Sequence, residues 1–194
     1  MKNRVPAGLL GMWVFLASEV LFFSTLILAF WVYRHEWPVE FSDGVRHMDL
    51  IAGSVNTAVL LTSSWTMALA LASSPRWKGR LLVLTAFLGA VFLVIKGSEY
   101  FMHARDGMLP PISWSPPQSA PAFKLFFILY FLITGLHALH LSIGIGCVLW
   151  ARLRMALRRE VSETLLENLG LYWHFVDIVW IFLFPLFYLI GGHA

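Results

Sequence analysis

Charge is scarce in this chain: only 13% of its 194 residues are Asp, Glu, Lys or Arg. A soluble domain of that length would carry about 25%. Cysteine is nearly absent too. The single Cys147 sits within an apolar run, so neither an internal disulfide nor an all-cysteine metal site can form. No run alternates in the manner of a membrane barrel strand, and there is no short-period repeat or low-complexity tract. No cleavable signal peptide is evident, because Met1–Gly8 leads into a full-length apolar run rather than a short one closed by small residues. The formal charge of +3 is not a nucleic-acid signal, since the basic residues lie between apolar runs.

What fills the chain instead is hydrocarbon: 59% of the residues are apolar or aromatic. Five runs approach or exceed the roughly 20 residues needed to cross a bilayer. They are Leu9–Tyr33, Leu50–Ala72, Leu81–Met102, Phe123–Trp150 and Leu169–Ile190. Each must be helical, because a backbone in lipid pairs its polar groups within its own segment. The expected fold is therefore all-α: one transmembrane domain, a polytopic bundle of five helices. Basic residues set its orientation. Nine of them (Lys2, Arg4, Arg76, Lys78, Arg80, Arg152, Arg154, Arg158, Arg159) fall on one side, and four (Arg34, Arg46, Arg105, Lys124) on the other. That places the N-terminus inside and the C-terminus outside. Trp31, Trp37, Trp77, Trp114 and Trp150 lie near run ends, as interfacial anchors do. The loop ARDGMLPPISWSPPQSAP is too rich in proline for a helix. The charged loop ARLRMALRREVSETLLEN could extend the fourth helix and pair Arg158 and Arg159 with Glu163 and Glu167.

Polar residues inside these runs carry the functional question. The stretch WHFVDIVWIFLF holds His174 and Asp177 one helical turn apart. A carboxylate at a helix centre in the bilayer costs roughly 2.5–3.5 kcal/mol on insertion scales, so something must offset it. By depth, Glu19 and the pair His137 and His140 lie near the midplane and could meet. Lys96, Glu99 and His103 cluster toward the outer end of the third run, and Asn56 lies in the outer part of the second. At i, i+3 and i, i+4 spacing the three share a face and can neutralise one another, with Lys96 snorkelling outward. The histidines have three competing uses. His137, His140, His174 and Asp177 could hold a metal, although no Glu-x-x-His pair occurs within the membrane. His140 and His174 could ligate a haem from facing helices. Or they are polar contacts between helices, to a lipid headgroup or to a partner subunit. A carboxyl such as Glu19 is tolerable at that depth in its neutral form. Gly135, Ala138, Ser142 and Gly146 recur at three or four residues on the histidine helix, which would let another helix come close.

GMWVFLASEVLFF, TGLHALHLSIG and YWHFVDIVWIFLFPLFYL, with SVNTAVLLTSS and KGSEYFMH between them in order, resemble subunit III of haem–copper oxidases. The resemblance covers nearly the whole chain and fits the short bacterial form, which lacks the first two of seven spans. It implies a non-catalytic subunit with no catalytic residue, metal or cofactor of its own. Haem and copper would reside in the partner, oxidase subunit I, which this subunit keeps active through repeated turnover. Other oxidase subunits, bound phospholipid and a wider respiratory supercomplex are the further partners implied, and the bacterial inner membrane is the location. Under this resemblance Glu19 matches the family's buried, carbodiimide-reactive glutamate. His137, His140, His174 and Asp177 match its intramembrane polar positions, and Glu99 matches the acid before a tyrosine. Accessory proteins of nitric oxide reductases share the pattern and are an alternative. An independent haem- or metal-binding membrane protein is an alternative of another class.

Overall fold

The computed structural model describes residues 7–110, 113–114 and 121–189. Lys2, Arg4, Ile190 and part of the proline-rich stretch lie outside these. The described residues form six α-helices: α1 Ala7–Glu36, α2 Pro38–Arg46, α3 Leu50–Ala72, α4 Pro75–Arg105, α5 Pro121–Ala156 and α6 Glu163–Phe184. All but α2 are long and apolar enough to cross a membrane. The chain is a multi-pass membrane protein.

Local chemistry sets the boundaries. Pro38, Pro75 and Pro121 each stand at or next to a helix start, where a missing N–H costs nothing. Asp49 caps α3 by accepting from the N–H groups of Ile51 (2.9 Å) and Ala52 (3.0 Å). Ser162 caps α6 through the N–H of Leu165. At Pro185 the ring cannot follow the α-helical ladder, and the chain widens into a π-helical turn, Pro185–Leu189. The proline-rich loop holds a minimal hairpin, β1 Met108–Leu109 against β2 Ser113–Trp114.

Two expectations are corrected here. α2 was not foreseen, since it is short and polar on average. The charged loop does extend the fourth membrane helix beyond Trp150, but only to Ala156, so the helical pairing of Arg158 and Arg159 with Glu163 and Glu167 is lost. α5 stops at Ala156, Arg158 takes a left-handed φ of 53°, and the Arg159 N–H closes the end on the Arg154 carbonyl. Arg158 and Arg159 are therefore off the helix that carries Glu163 and Glu167.

α3 and α4 form a tight antiparallel hairpin through Ser73 and Ser74. With α5 and α6 they close a four-helix ring in which each helix touches two others. α1 lies outside the ring against α5 and α6, and α2 bridges back to α5 and the π-helical turn. Aromatic rings join these parts: Phe30 of α1 meets Phe41 of α2 at 5.2 Å and Phe187 at 5.0 Å. Gly44 of α2 lies so close to α5 that a Cβ there would stand 2.5 Å from the Phe126 ring. Lipid removes the hydrophobic drive between helices, so packing of this kind and interhelical hydrogen bonds hold the bundle. Of the small-residue stripe, Gly135 faces the Tyr100 hydroxyl of α4, but its other end takes no part in this packing. Ser142 is exposed and a Cβ at Gly146 would meet nothing within 4 Å; the close approach is at Gly144, against Trp173.

Candidate functional site: polar groups inside the bundle

The densest polar cluster surrounds Lys96 and Glu99 of α4. They are 3.1 Å apart, and each is 2% exposed. The Lys96 ammonium also donates to the hydroxyls of Tyr130 (2.7 Å) and Tyr188 (2.5 Å). Those hydroxyls in turn donate to Glu99 Oε1, at 2.6 and 2.7 Å. One cation, one anion and two phenols thus form a closed set across α4, α5 and the π-helical turn. Lys96 uses all three of its N–H donors here. It also lies 4.6 Å from the centre of the Tyr130 ring and 5.3 Å from that of Trp180. The expectation that Lys96 snorkels outward is therefore wrong: the two tyrosines draw it inward. His103 completes the triad loosely, with Nε2 3.9 Å from Glu99 Oε1. A small outer cavity of about 190 Å³, lined by His47, Asp49, Glu99, His103 and Asp106 among others, opens over this end.

The second cluster lies between α1 and α5. Glu19 Oε2 stands 3.2 Å from His140 Nε2, and both side chains are partly exposed. His140 Nδ1 faces the Leu136 carbonyl at 2.8 Å, so Nδ1 carries a hydrogen. Nε2 is left to face the carboxyl, within hydrogen-bond distance of it. The α6 residue Tyr172 donates to the His140 carbonyl at 2.9 Å, tying a third helix to this turn. Next to it, α1, α5 and α6 flank an apolar cleft of about 510 Å³ lined by Met12, Ile143, Cys147, Leu165, Leu169 and Tyr172, with others.

The remaining predicted residues are dispersed. His137, one turn from His140, points away from Glu19 into the ring, where it meets Trp180 at 5.2 Å and Phe92 at 5.6 Å. His174 faces α3, with Nδ1 2.8 Å from Ser64 Oγ, and does not bond to Asp177. Asp177 is 3% exposed and neither oxygen makes a hydrogen bond; Ser64 lies near it, but the geometry of that hydroxyl favours His174. His140 and His174 thus address different neighbours and are not placed as a facing pair. Among the described residues, no three His, Cys, Asp or Glu side chains converge as metal ligands would. Tyr130, Tyr188 and Ser64 were missed from sequence. A phenol inside an apolar run needs a partner when buried, and that was the available signal.

With this geometry in view, the similarities to known proteins can be weighed. Residues 2–192 match the family described as cytochrome c oxidase subunit III. The probable quinol oxidase subunit 3 of Staphylococcus haemolyticus is 30% identical over 190 residues, covering 94% of this chain and 88% of that one. The cytochrome c oxidase subunit 3 of Synechocystis is 31% identical over 191 residues, covering 93% and 74%. The quinol oxidase subunit 3 of Bacillus subtilis is 30% identical over 191 residues, covering 95% and 87%. Matched from end to end by that family and by relatives of nearly its own length, the chain belongs to the cytochrome c oxidase subunit III family.

Proposed function

We propose that this chain is the non-catalytic subunit III of a respiratory haem–copper terminal oxidase in a bacterial inner membrane. It packs on subunit I, which carries the haem and copper, and stabilises it while oxygen is reduced and protons are pumped. The observation that carries this reading is the family match over residues 2–192. The interior supports it. Lys96 and Glu99 are bonded to each other and to two tyrosines, as in a scaffold. In this reading the N-terminus, the α3–α4 turn and the α5–α6 loop face the cytoplasm, following the basic residues. The cleft between α1, α5 and α6 takes an acyl chain of a bound phospholipid, because its lining is apolar and it opens on the lipid side.

The test is affinity purification in mild detergent through a tag on this chain, with an optical spectrum and mass spectrometry of the subunits that come with it. Haem absorbance that travels with a large multi-span partner, and leaves when this chain is stripped away, is the expected result. Haem or metal retained by the isolated chain would overturn it. A partner that reduces nitric oxide rather than oxygen would move the chain to the related accessory role.

A further inference from the structure

Three buried side chains at one level of the four-helix ring have no hydrogen-bond partner on any polar atom among the described residues: Asn56, His137 and Asp177. They are 0%, 1% and 3% exposed, respectively. They come from three different helices, α3, α5 and α6. Trp180 marks their common level. It lies one turn from Asp177 on α6, its ring is 5.2 Å from that of His137, and its Nε1 donates to Thr57, the neighbour of Asn56. A buried polar group left unsatisfied is destabilising, because it has given up its bonds to water and gained none in return. Three at one level of a native bundle call for a ligand.

The protein groups nearby are already committed. The Thr57 hydroxyl bonds to the Gly53 carbonyl and receives Trp180. Ser63 bonds to the Thr85 carbonyl and receives Trp173. All three Lys96 donors go to Glu99, Tyr130 and Tyr188. Ser64 bonds to His174; turned to Asp177 instead, it would satisfy one oxygen and leave the other. The chemistry of the orphans selects among ligands. Asn56 both donates and accepts, a neutral His137 ring does the same, and the Asp177 carboxyl accepts, donating as well when it carries a proton. A cation would satisfy only the acceptors, and no metal-ligand set converges among the described residues. Water both donates and accepts. A buried water makes about three hydrogen bonds, so these six atoms suit about two of them.

We propose that Asn56, His137 and Asp177 form a binding site for a small cluster of ordered water molecules at the centre of the ring. The cluster joins α3, α5 and α6 through polar bonds that no direct contact supplies. It also gives hydrogen bonds to the buried carboxyl of Asp177, which makes no salt bridge among the described residues.

Hydroxyl-radical footprinting of the purified complex by pulsed X-rays tests this, because radicals made from a bound water label the side chains around it. Phe92 and Phe126 are a matched pair, both 0% exposed. Phe92 touches His137 and Trp180, whereas Phe126 lies among Phe30, Phe41 and Phe187. Labelling of Phe92 several-fold faster than Phe126 is expected, and Asn56→Leu should bring it down toward the Phe126 rate. Equal labelling of the two in the unmodified chain would overturn the site, whether or not Asn56→Leu folds. The readout is on this chain's own residues, so it stands apart from the identity of the complex.

Discussion

Lys96 is the residue on which most of the interior depends. Its ammonium neutralises Glu99 and orders two tyrosines. Removing it alone strands a carboxylate that is 2% exposed. Breaking a buried pair in this way costs about 3–5 kcal/mol, whereas replacing both partners by apolar groups is far milder. Lys96→Met should therefore lower the thermal stability of the detergent-solubilised complex markedly, and adding Glu99→Leu should restore part of it. A double variant less stable than Lys96→Met would contradict the pairing. Glu19 behaves differently. Its carboxyl lies 3.2 Å from His140 Nε2, and a glutamine amide can donate to the same nitrogen. Glu19→Gln should leave subunit stoichiometry and initial oxygen consumption close to those of the unmodified complex. Glu19→Leu leaves His140 Nε2 unpaired and should cost about 1–3 kcal/mol, read as a lower melting temperature. The sequence made these residues visible, because an ionisable group inside an apolar run stands out. It did not show which way each points. Lys96 turned inward because of Tyr130 and Tyr188, which come from 34 and 92 residues away. His137 and His140 share a motif and lie one turn apart on α5, yet one meets Trp180 of α6 and the other Glu19 of α1.

At the scale of the element, long apolar runs read well because bilayer thickness constrains both length and conformation. Short amphipathic pieces do not. α2 spans nine residues and owes its place to contacts with α5 rather than to a signal of its own. The joint is tight: adding a methyl at Gly44 would drive it into Phe126, a ring 0% exposed. Overpacking of this kind typically costs about 1–3 kcal/mol. Gly44→Ala should therefore increase proteolysis between α1 and α3 while the ring of α3 to α6 stays protected. The stripe Gly135–Gly146 carries the opposite lesson. Its spacing is right for close packing, but spacing alone does not name the partner, and within this chain none comes to it at Gly146.

At the scale of the whole molecule, the ring and α1 have unequal standing. Of the stretch of α1 that would cross a membrane, 17% is buried, against 61% for α6. The cleft beside α1 is consequently open to lipid, and Cys147 is exposed on its wall. Cys147→Trp should fill it, reducing the phospholipid that co-purifies, as counted by lipid mass spectrometry, with little change in melting temperature. Undiminished lipid would remove the cleft from the proposed function.

The position of α1 also sets a timetable. It is made before α5 and α6, yet it rests on them. α5 begins only at Pro121, and at ribosomal rates of about 5–20 residues per second the wait is roughly 4–17 s. Throughout that interval α1 stands alone among lipids or in the insertion machinery, and Glu19 has no His140 to meet. A nascent chain stalled before α5 should therefore leave α1 open to lateral escape or to chaperoning, and only completion of the C-terminal half brings it home.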